Sequence, residues 1–225
     1  MLDFTVAYVE ESMIYLIDGN EREQHPGLID QMHRLRAKVF QGRLGWEVSV
    51  IDGRERDRFD DEMPLYVIST TPEGQVVGCL RALQTTGPNM LSDVFSELLE
   101  PGTRIRSPLI WESTRFCVDL EYAMGRSKNT LSIITAELLC GLVETGLAAG
   151  LSHIVSVYDI RMERVLIRAG CDPVRLADPK EIGGVQTIAG LFEVNQAFVD
   201  RLHSKSNLAY PAVDTHALRR IGLAA

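Results

Sequence analysis

The chain has 225 residues, 45% hydrophobic and 24% charged, the composition of one ordinary globular domain large enough to bury a core. Its net charge of −8 and pI near 5.2 exclude nucleic acid as the main partner, because phosphate neutralisation needs a basic surface. The charge is uneven: residues 1–122 hold 21 acidic and 12 basic side chains (net −9), and residues 123–225 hold 10 and 11 (net +1). An acidic partner docks more easily on the carboxyl half, unless the asymmetry is ordinary variation of a solvated surface.

In chain order, a first helix is predicted over residues 27–41, where Leu28, Met32, Leu35 and Val39 recur at helical spacing and Pro26 suits the start. Residues 42–63, rich in Gly, Arg and Asp, have no period and read as a long loop. Strands are predicted over 65–69, 75–85 and 109–119, with turn chemistry at residues 86–89 and a short helix near 95–100. A helix follows over 130–149, capped by Ser127 or Asn129 and ended by Gly150. Then come a strand over 153–158, a helix over 161–169 closed by Gly170, a strand over 186–194 and a short helix to about residue 204. This alternation predicts a single α/β domain over residues 1–225, with helices packed on one central sheet.

Several classes fall away. The amino terminus lacks a basic flank and a small-residue cleavage site, so no secretory signal is expected. The apolar stretch 138–151 contains Glu144 and several glycines and reads as a buried helix, not a membrane span. Cys79, Cys117, Cys140 and Cys171 form no CxxC pair and read as buried free thiols in a reducing cytoplasm. The five histidines show no metal spacing, and neither a GxSxG elbow nor a Walker A loop is present.

Some polar and aromatic residues stand where packing does not ask for them. Arg36 and Phe40 share a helix face offset from the core stripe, and alone read as a surface Arg stacked on a Phe. Trp46 either anchors its loop or walls a small-molecule pocket. The charged run at residues 54–61 reads, on composition, as a solvated loop. Arg81 is harder to dismiss. It shares a strand face with Val77, Cys79 and Leu83, so it needs a buried carboxylate or a ligand anion, and Asp57 and Asp60 are the candidate partners. Glu112 and Arg115 would point to opposite faces of a regular strand, so either a β-bulge brings both to one site or they serve different sides.

Taken in order, Arg36, Phe40, Trp46, Asp57, Asp60, Arg81, Glu112 and Arg115 resemble the pattern of the acyl-homoserine lactone (autoinducer) synthases. The tracts at residues 83–91 and 111–116 are similar to the family as well, and the likeness spans roughly residues 28–195. The resemblance implies a fold like the GNAT N-acyltransferases: a twisted mixed sheet flanked by helices, with a V-shaped cleft where two central strands splay. The strands holding Arg81 and Glu112 would flank that cleft. It also implies a reaction in which the amine of S-adenosylmethionine takes an acyl group from a thioester and the product closes to a lactone, releasing methylthioadenosine. No cofactor is implied, since S-adenosylmethionine is a substrate.

The implied roles are Arg36, Phe40, Trp46 and Arg115 around S-adenosylmethionine, Asp57, Asp60 and Arg81 in an ion-pair network, and Glu112 as base, directly or through water. Changing Glu112 to Gln is then expected to cut turnover and leave the fold intact. Arg126 and Lys128, beside a helix start, are candidates for the pantetheine arm, and Ser156 for the acyl chain. The donor is acyl carrier protein or coenzyme A, and Lys128, Arg161, Arg164, Arg168 and Lys180 suit either. The resemblance does not place the tail over residues 207–225, which is either flexible or a cover for the acyl tunnel. The competing readings are a related acyltransferase acting on another amine and a non-catalytic acyl-carrier-binding module.

Overall fold

The computed structural model describes residues 13–126, 130–206, 208 and 211–223, apart from the side chains of residues 126, 130–132 and 215. The elements are β1 (Met13–Asp18), α1 (Pro26–Ala37), β2 (Val50–Ile51), β3 (Arg54–Glu55), β4 (Leu65–Thr70), β5 (Val76–Gln84), α2 (Met90–Asp93), β6 (Ile110–Val118) and α3 (Leu120–Arg126). They continue with α4 (Thr130–Ala148), β7 (His153–Asp159), α5 (Ile160–Ala169), β8 (Val174–Arg175), β9 (Lys180–Ile182), β10 (Val185–Glu193), α6 (Gln196–Ser206) and α7 (Thr215–Arg220). The predicted strands and helices fall within a few residues of these bounds, the short helix at 95–100 being a 3-10 turn at Ser96–Leu98.

The main sheet runs β1-β4-β5-β6-β7-β10-β8, with β9 added to β10. Every pairing is antiparallel except β6 with β7. One face packs on α4, α5 and α6 around Leu80, Ile134, Leu138, Ile154, Leu166 and Phe198. The other takes the apolar stripe of α1 and the turn that follows it, with Met32, Leu35 and Val39 against Tyr66, Ile68 and Cys79. Gly78 lets α4 approach the sheet, since a Cβ there would stand 2.7 Å from Ile134 and 2.9 Å from Leu138. All four cysteines are buried free thiols.

The parallel junction is the mechanically distinctive place. β6 and β7 pair only from Ile110↔His153 to Ser113↔Ser156, although both strands run on, to Val118 and Asp159. Beyond Ser113 and Ser156 the two strands part and leave a V-shaped opening. The resemblance had put the strands of Arg81 and Glu112 on either side of the cleft, and the register corrects this. β5 and β6 stay paired from Gly78↔Val118 to Gln84↔Trp111, so the cleft lies between β6 and β7.

Three other expectations change. β1 and α3 have no counterpart in the sequence reading; β1 is a short edge strand with little period. The expected loop 42–63 contains the β2–β3 hairpin and a 3-10 turn at Arg58–Asp61. Tail residues 211–223 fold as α7 against the core, with Val213 and Ala217 buried. The predicted caps Ser127 and Asn129 lie outside the described residues, as do Lys128 and the side chain of Arg126.

Candidate active site

The site begins at the end of α1. The helix loosens into a π-turn over Lys38–Arg43, closed by Leu44 N–H to the Val39 carbonyl at 2.9 Å. Such a turn is a frequent mark of functional positions. Gly45 takes a left-handed φ of 67°, and Trp46 N–H donates back to the Phe40 carbonyl at 2.9 Å. The indole thereby stacks on Phe40, centroids 5.2 Å apart and planes 9° from parallel. Phe40 is 2% exposed and Trp46 45%, so Phe40 is the anchor and Trp46 the outward wall.

Beneath this wall lies a closed ring of six alternating charges. Arg36 pairs with Glu55 at 2.5 Å and Asp60 at 2.8 Å. Arg81 pairs with Asp60 at 3.0 Å and Asp57 at 2.6 Å. Arg115 pairs with Asp57 at 2.6 Å and Glu55 at 3.1 Å. Each guanidinium thus bridges two carboxylates, each carboxylate two guanidiniums, and the set is neutral. Arg36 and Arg81 are 0% exposed and Asp60 is 1%, a depth at which an unpaired charge would be very costly. The neighbouring guanidiniums hold Asp57 and Asp60 below the usual carboxylate range, with Arg36 the main cause for Asp60 and Arg81 for Asp57, against burial.

Local structure sets each ring member. Asp57 and Asp60 form a reciprocal capping box on the 3-10 turn, Asp57 also accepting from Phe59 N–H at 2.9 Å. Tyr66 donates its hydroxyl to Asp60 at 2.9 Å. Glu55, which the sequence reading left in a solvated run, is 0% exposed. Burial lowers the pKa of His33, which as neutral imidazole donates Nδ1–H to the Glu55 carbonyl at 2.7 Å. The signal for Glu55 was present but faint: it alternates with the half-buried Arg54 and the exposed Arg56 in a hairpin too short to show a period.

A bulge delivers Arg115. Residues 115–116 of β6 lie between pairs that are separated on β5 by Leu80 alone. Arg115 takes a φ of 54°, a left-handed conformation that side chains resist. The extra residue brings Glu112, Thr114 and Arg115 to one face. Thr114 Oγ1 accepts from Arg81 Nε at 3.0 Å, and Arg115 lies over the Phe40 ring at 5.4 Å.

Glu112 is 0% exposed, and its two oxygens accept the N–H groups of Met90 and Leu91, both at 2.7 Å. It holds the first turn of α2 against the sheet, and Met90 Sδ in turn touches Arg81 and Arg115. Burial pushes the Glu112 carboxyl up to about 7 against those two hydrogen bonds. A Gln in its place would turn an NH2 group towards one N–H, and an unmet buried donor costs about 1–3 kcal/mol, so Glu112→Gln is expected to fold with lowered stability. Ser156 sits at the apex of the cleft and donates its hydroxyl to the Ser113 carbonyl at 2.8 Å. The ring's carboxylates are all committed to guanidiniums, which leaves no open oxygen set for a metal here.

Residues 19–202 match the family model for autoinducer synthases. The chain belongs to the autoinducer synthase family. It is 39% identical over 206 residues to an acyl-homoserine-lactone synthase of Agrobacterium fabrum, covering 92% of this chain and 98% of that one. It is also 39% identical over 181 residues to one from Pseudomonas aeruginosa, covering 79% and 88%. Among solved structures, the synthase LasI superposes with a TM-score of 0.76 at 33% identity, over 87% of this chain and 96% of that one. A coenzyme A-dependent synthase, BjaI, solved with S-adenosylmethionine and isopentyl-CoA, superposes with a TM-score of 0.79 at 26% identity, over 95% and 100%. Every candidate site residue lies inside the matched span; the tail from residue 203 lies outside it. No helix among the described residues is long and apolar enough to cross a membrane.

Proposed function

We propose that the protein makes an acyl-homoserine lactone from S-adenosylmethionine and an acyl thioester. The observation that carries this reading is the neutral six-charge ring, which holds the Phe40–Trp46 wall through Arg115 of β6, the strand that borders the opening. S-adenosylmethionine brings an amine, a carboxylate and a sulfonium. Of the two rings in the wall only Trp46 is open to a ligand, and its exposed face suits the sulfonium by a cation–π contact. Arg115 is the ring guanidinium with side-chain exposure, 11%, and is the natural partner for the carboxylate.

In the first step the amine attacks the thioester carbon, the thiolate leaves, and the amine gives up a proton. Glu112 is the proposed acceptor. Its pKa near 7 suits a base at neutral pH, but both oxygens already take N–H groups, so the proton reaches it through a water admitted to the cleft. In the second step the carboxylate oxygen attacks the γ-carbon and displaces methylthioadenosine. The sulfonium is already a good leaving group, so holding the carboxylate near that carbon is what this step needs.

The acyl arm enters between β6 and β7, where Ser156 stands at the apex. Both acyl carrier protein and coenzyme A fit the less acidic carboxyl half, and both substrates place the enzyme in the cytoplasm. The test is direct: purified protein with S-adenosylmethionine and each thioester class, followed by mass spectrometry. Methylthioadenosine together with lactone supports the reading. A folded protein that gives neither product with any donor refutes it.

A further inference from the structure

β6 parts from β7 after Ser113 and runs on to Val118. This free limb is one lip of the opening. Its other edge stays bonded to β5 through Cys79↔Cys117 and Gly78↔Val118. Asp119 N–H continues that ladder, donating to the Val77 carbonyl at 2.8 Å, so Asp119 is a fixed point just past the end of the lip. Its carboxylate faces two ways. Oδ1 accepts the N–H groups of Glu121 at 3.0 Å and Tyr122 at 3.1 Å and so holds the first turn of α3. The two oxygens also accept from Lys38 Nζ, at 3.0 and 3.1 Å.

Lys38 opens the π-turn that carries Phe40, the anchor of Trp46. The turn is therefore fastened to the lip twice. Phe40 lies under Arg115 near the start of the free limb, and Lys38 bonds Asp119 just past its end. A turn held at one contact can pivot about it, and the second contact sets its angle to the strand. The two contacts differ in kind. The Arg115 contact belongs to the buried ring. The Lys38 side chain is 43% exposed, and its other partner, Glu121 at 2.7 Å, is 83% exposed. Exposed ion pairs add little to stability, and Asp119 is already fixed by its own backbone bond and by α3. The consequence of the Lys38 bond is thus geometric: it places the turn, not the lip.

We propose that Lys38 is a positioning residue for acyl transfer. It holds the Phe40–Trp46 wall at a set angle to the lip, so that the amine of S-adenosylmethionine at the wall meets the thioester carbon that enters beside β6. The proposal rests on the synthase reading. Lys38 acts through the π-turn and not by touching the reacting atoms. A misplacement of about 1 Å between reacting groups costs up to about a hundredfold in rate, so a small pivot of the turn is enough to be read.

The experiment compares wild type, Lys38→Met, Lys38→Arg and Glu121→Gln, with the thioester most productive for wild type. The amide formed in a single turnover at saturating substrates is read by chemical quench and mass spectrometry. Affinity for S-adenosylmethionine is read by calorimetry, and stability by the urea midpoint. Lys38→Met lowers the single-turnover rate by at least about tenfold, while affinity and midpoint stay near wild type, as expected for an exposed pair. Lys38→Arg recovers most of the rate, since a guanidinium reaches the same carboxylate. Glu121→Gln changes the local charge, keeps the Lys38–Asp119 bond and keeps the wild-type rate. A Lys38→Met variant with the wild-type rate overturns the proposal. So does a loss matched by an equal fall in affinity or left unrecovered by Arg, and so does a Glu121→Gln effect as large as that of Lys38→Met, which would assign the change to charge. Absence of lactone from wild type with every donor overturns the synthase reading, and this inference with it.

Discussion

Deleting one member of the charge ring tests whether it acts as a closed unit. Arg36→Met keeps the stem and removes the charge. Glu55 is then left with Arg115, and Asp60 with Arg81 and the Tyr66 hydroxyl. The cluster goes from neutral to −1 in a place where Arg36, Glu55 and Asp60 are all at most 1% exposed. Removing one partner of a buried ion pair costs about 3–5 kcal/mol, a large part of a total stability of about 5–15 kcal/mol. Asp60→Asn alone leaves the cluster at +1 and should cost a similar amount. The double variant is neutral again, because Glu55, Arg115, Asp57 and Arg81 remain as an alternating row. It should therefore cost less than the sum of the single changes by about 2 kcal/mol, within the range of coupling between contacting residues. Urea unfolding of the four proteins measures this from midpoints at constant slope. Single effects that add to within about 0.5 kcal/mol would refute the closed-ring argument.

Trp46→Ala should weaken S-adenosylmethionine binding at least tenfold, read by calorimetry, and move the urea midpoint little, since Trp46 is 45% exposed and packs chiefly on Phe40. Glu112→Gln should lower both turnover and stability, the latter by about 1–3 kcal/mol from the unmet N–H of Met90 or Leu91. Wild-type turnover in that variant would remove Glu112 as the proton acceptor. Stability should rise as pH falls from 8 to 5: burial lifts Glu112 and Glu137 from 4.5 to about 7, so between those values the folded protein holds protons that the unfolded chain has lost. The gain from each group is complete below pH 4.5 and gone above about 7, with a slope of about 1.4 kcal/mol per pH unit for each proton. His33, lowered by burial from 6.5, opposes part of this gain below that pH, and the lowered Asp57 and Asp60 act in the same opposite sense, stabilising above 3.8 and losing that contribution as pH drops through their folded values. A urea midpoint that rises steadily from pH 5 to 8 would show that these burial effects are wrong.

Much of the fold was legible because its signals are local. The α1 stripe, the strand carrying Arg81 and the Gly150 and Gly170 stops each need only a few neighbouring residues to be read. What escaped depends on partners distant in sequence. Glu55 looks solvated until His33, Arg36 and Arg115 are brought to it from other elements. The bulge at Arg115 shows only as a conflict of strand period, and its resolution requires the register against β5. The cleft was assigned to the wrong strand pair because sequence places Arg81 and Glu112 on strands but does not order those strands in the sheet. The tail was unreadable for a related reason: its docking rests on one carboxylate of α4, Glu144, about seventy residues away.

The ring also accounts for why a strained residue survives in the sheet. A left-handed conformation at a non-glycine residue costs about 1–2 kcal/mol, and Arg115 keeps it inside a strand. Such strain persists where the surroundings over-determine the position, and here three constraints meet: Glu55, Asp57 and the Phe40 ring. A well-packed apolar cluster of the same volume can match or exceed the stability of buried ion pairs, so stability alone does not explain the ring. Its distinctive property is direction. Each guanidinium fork fixes two carboxylates in angle as well as distance, which an apolar contact does not. The segment 50–61 has only two-residue strands and a single 3-10 turn to shape it, so directional bonds set its place over the sheet. Because Arg36 and Phe40 lie four residues apart where α1 runs into the π-turn, orienting Arg36 also orients Phe40, and through it Trp46, on the α1 face of the sheet.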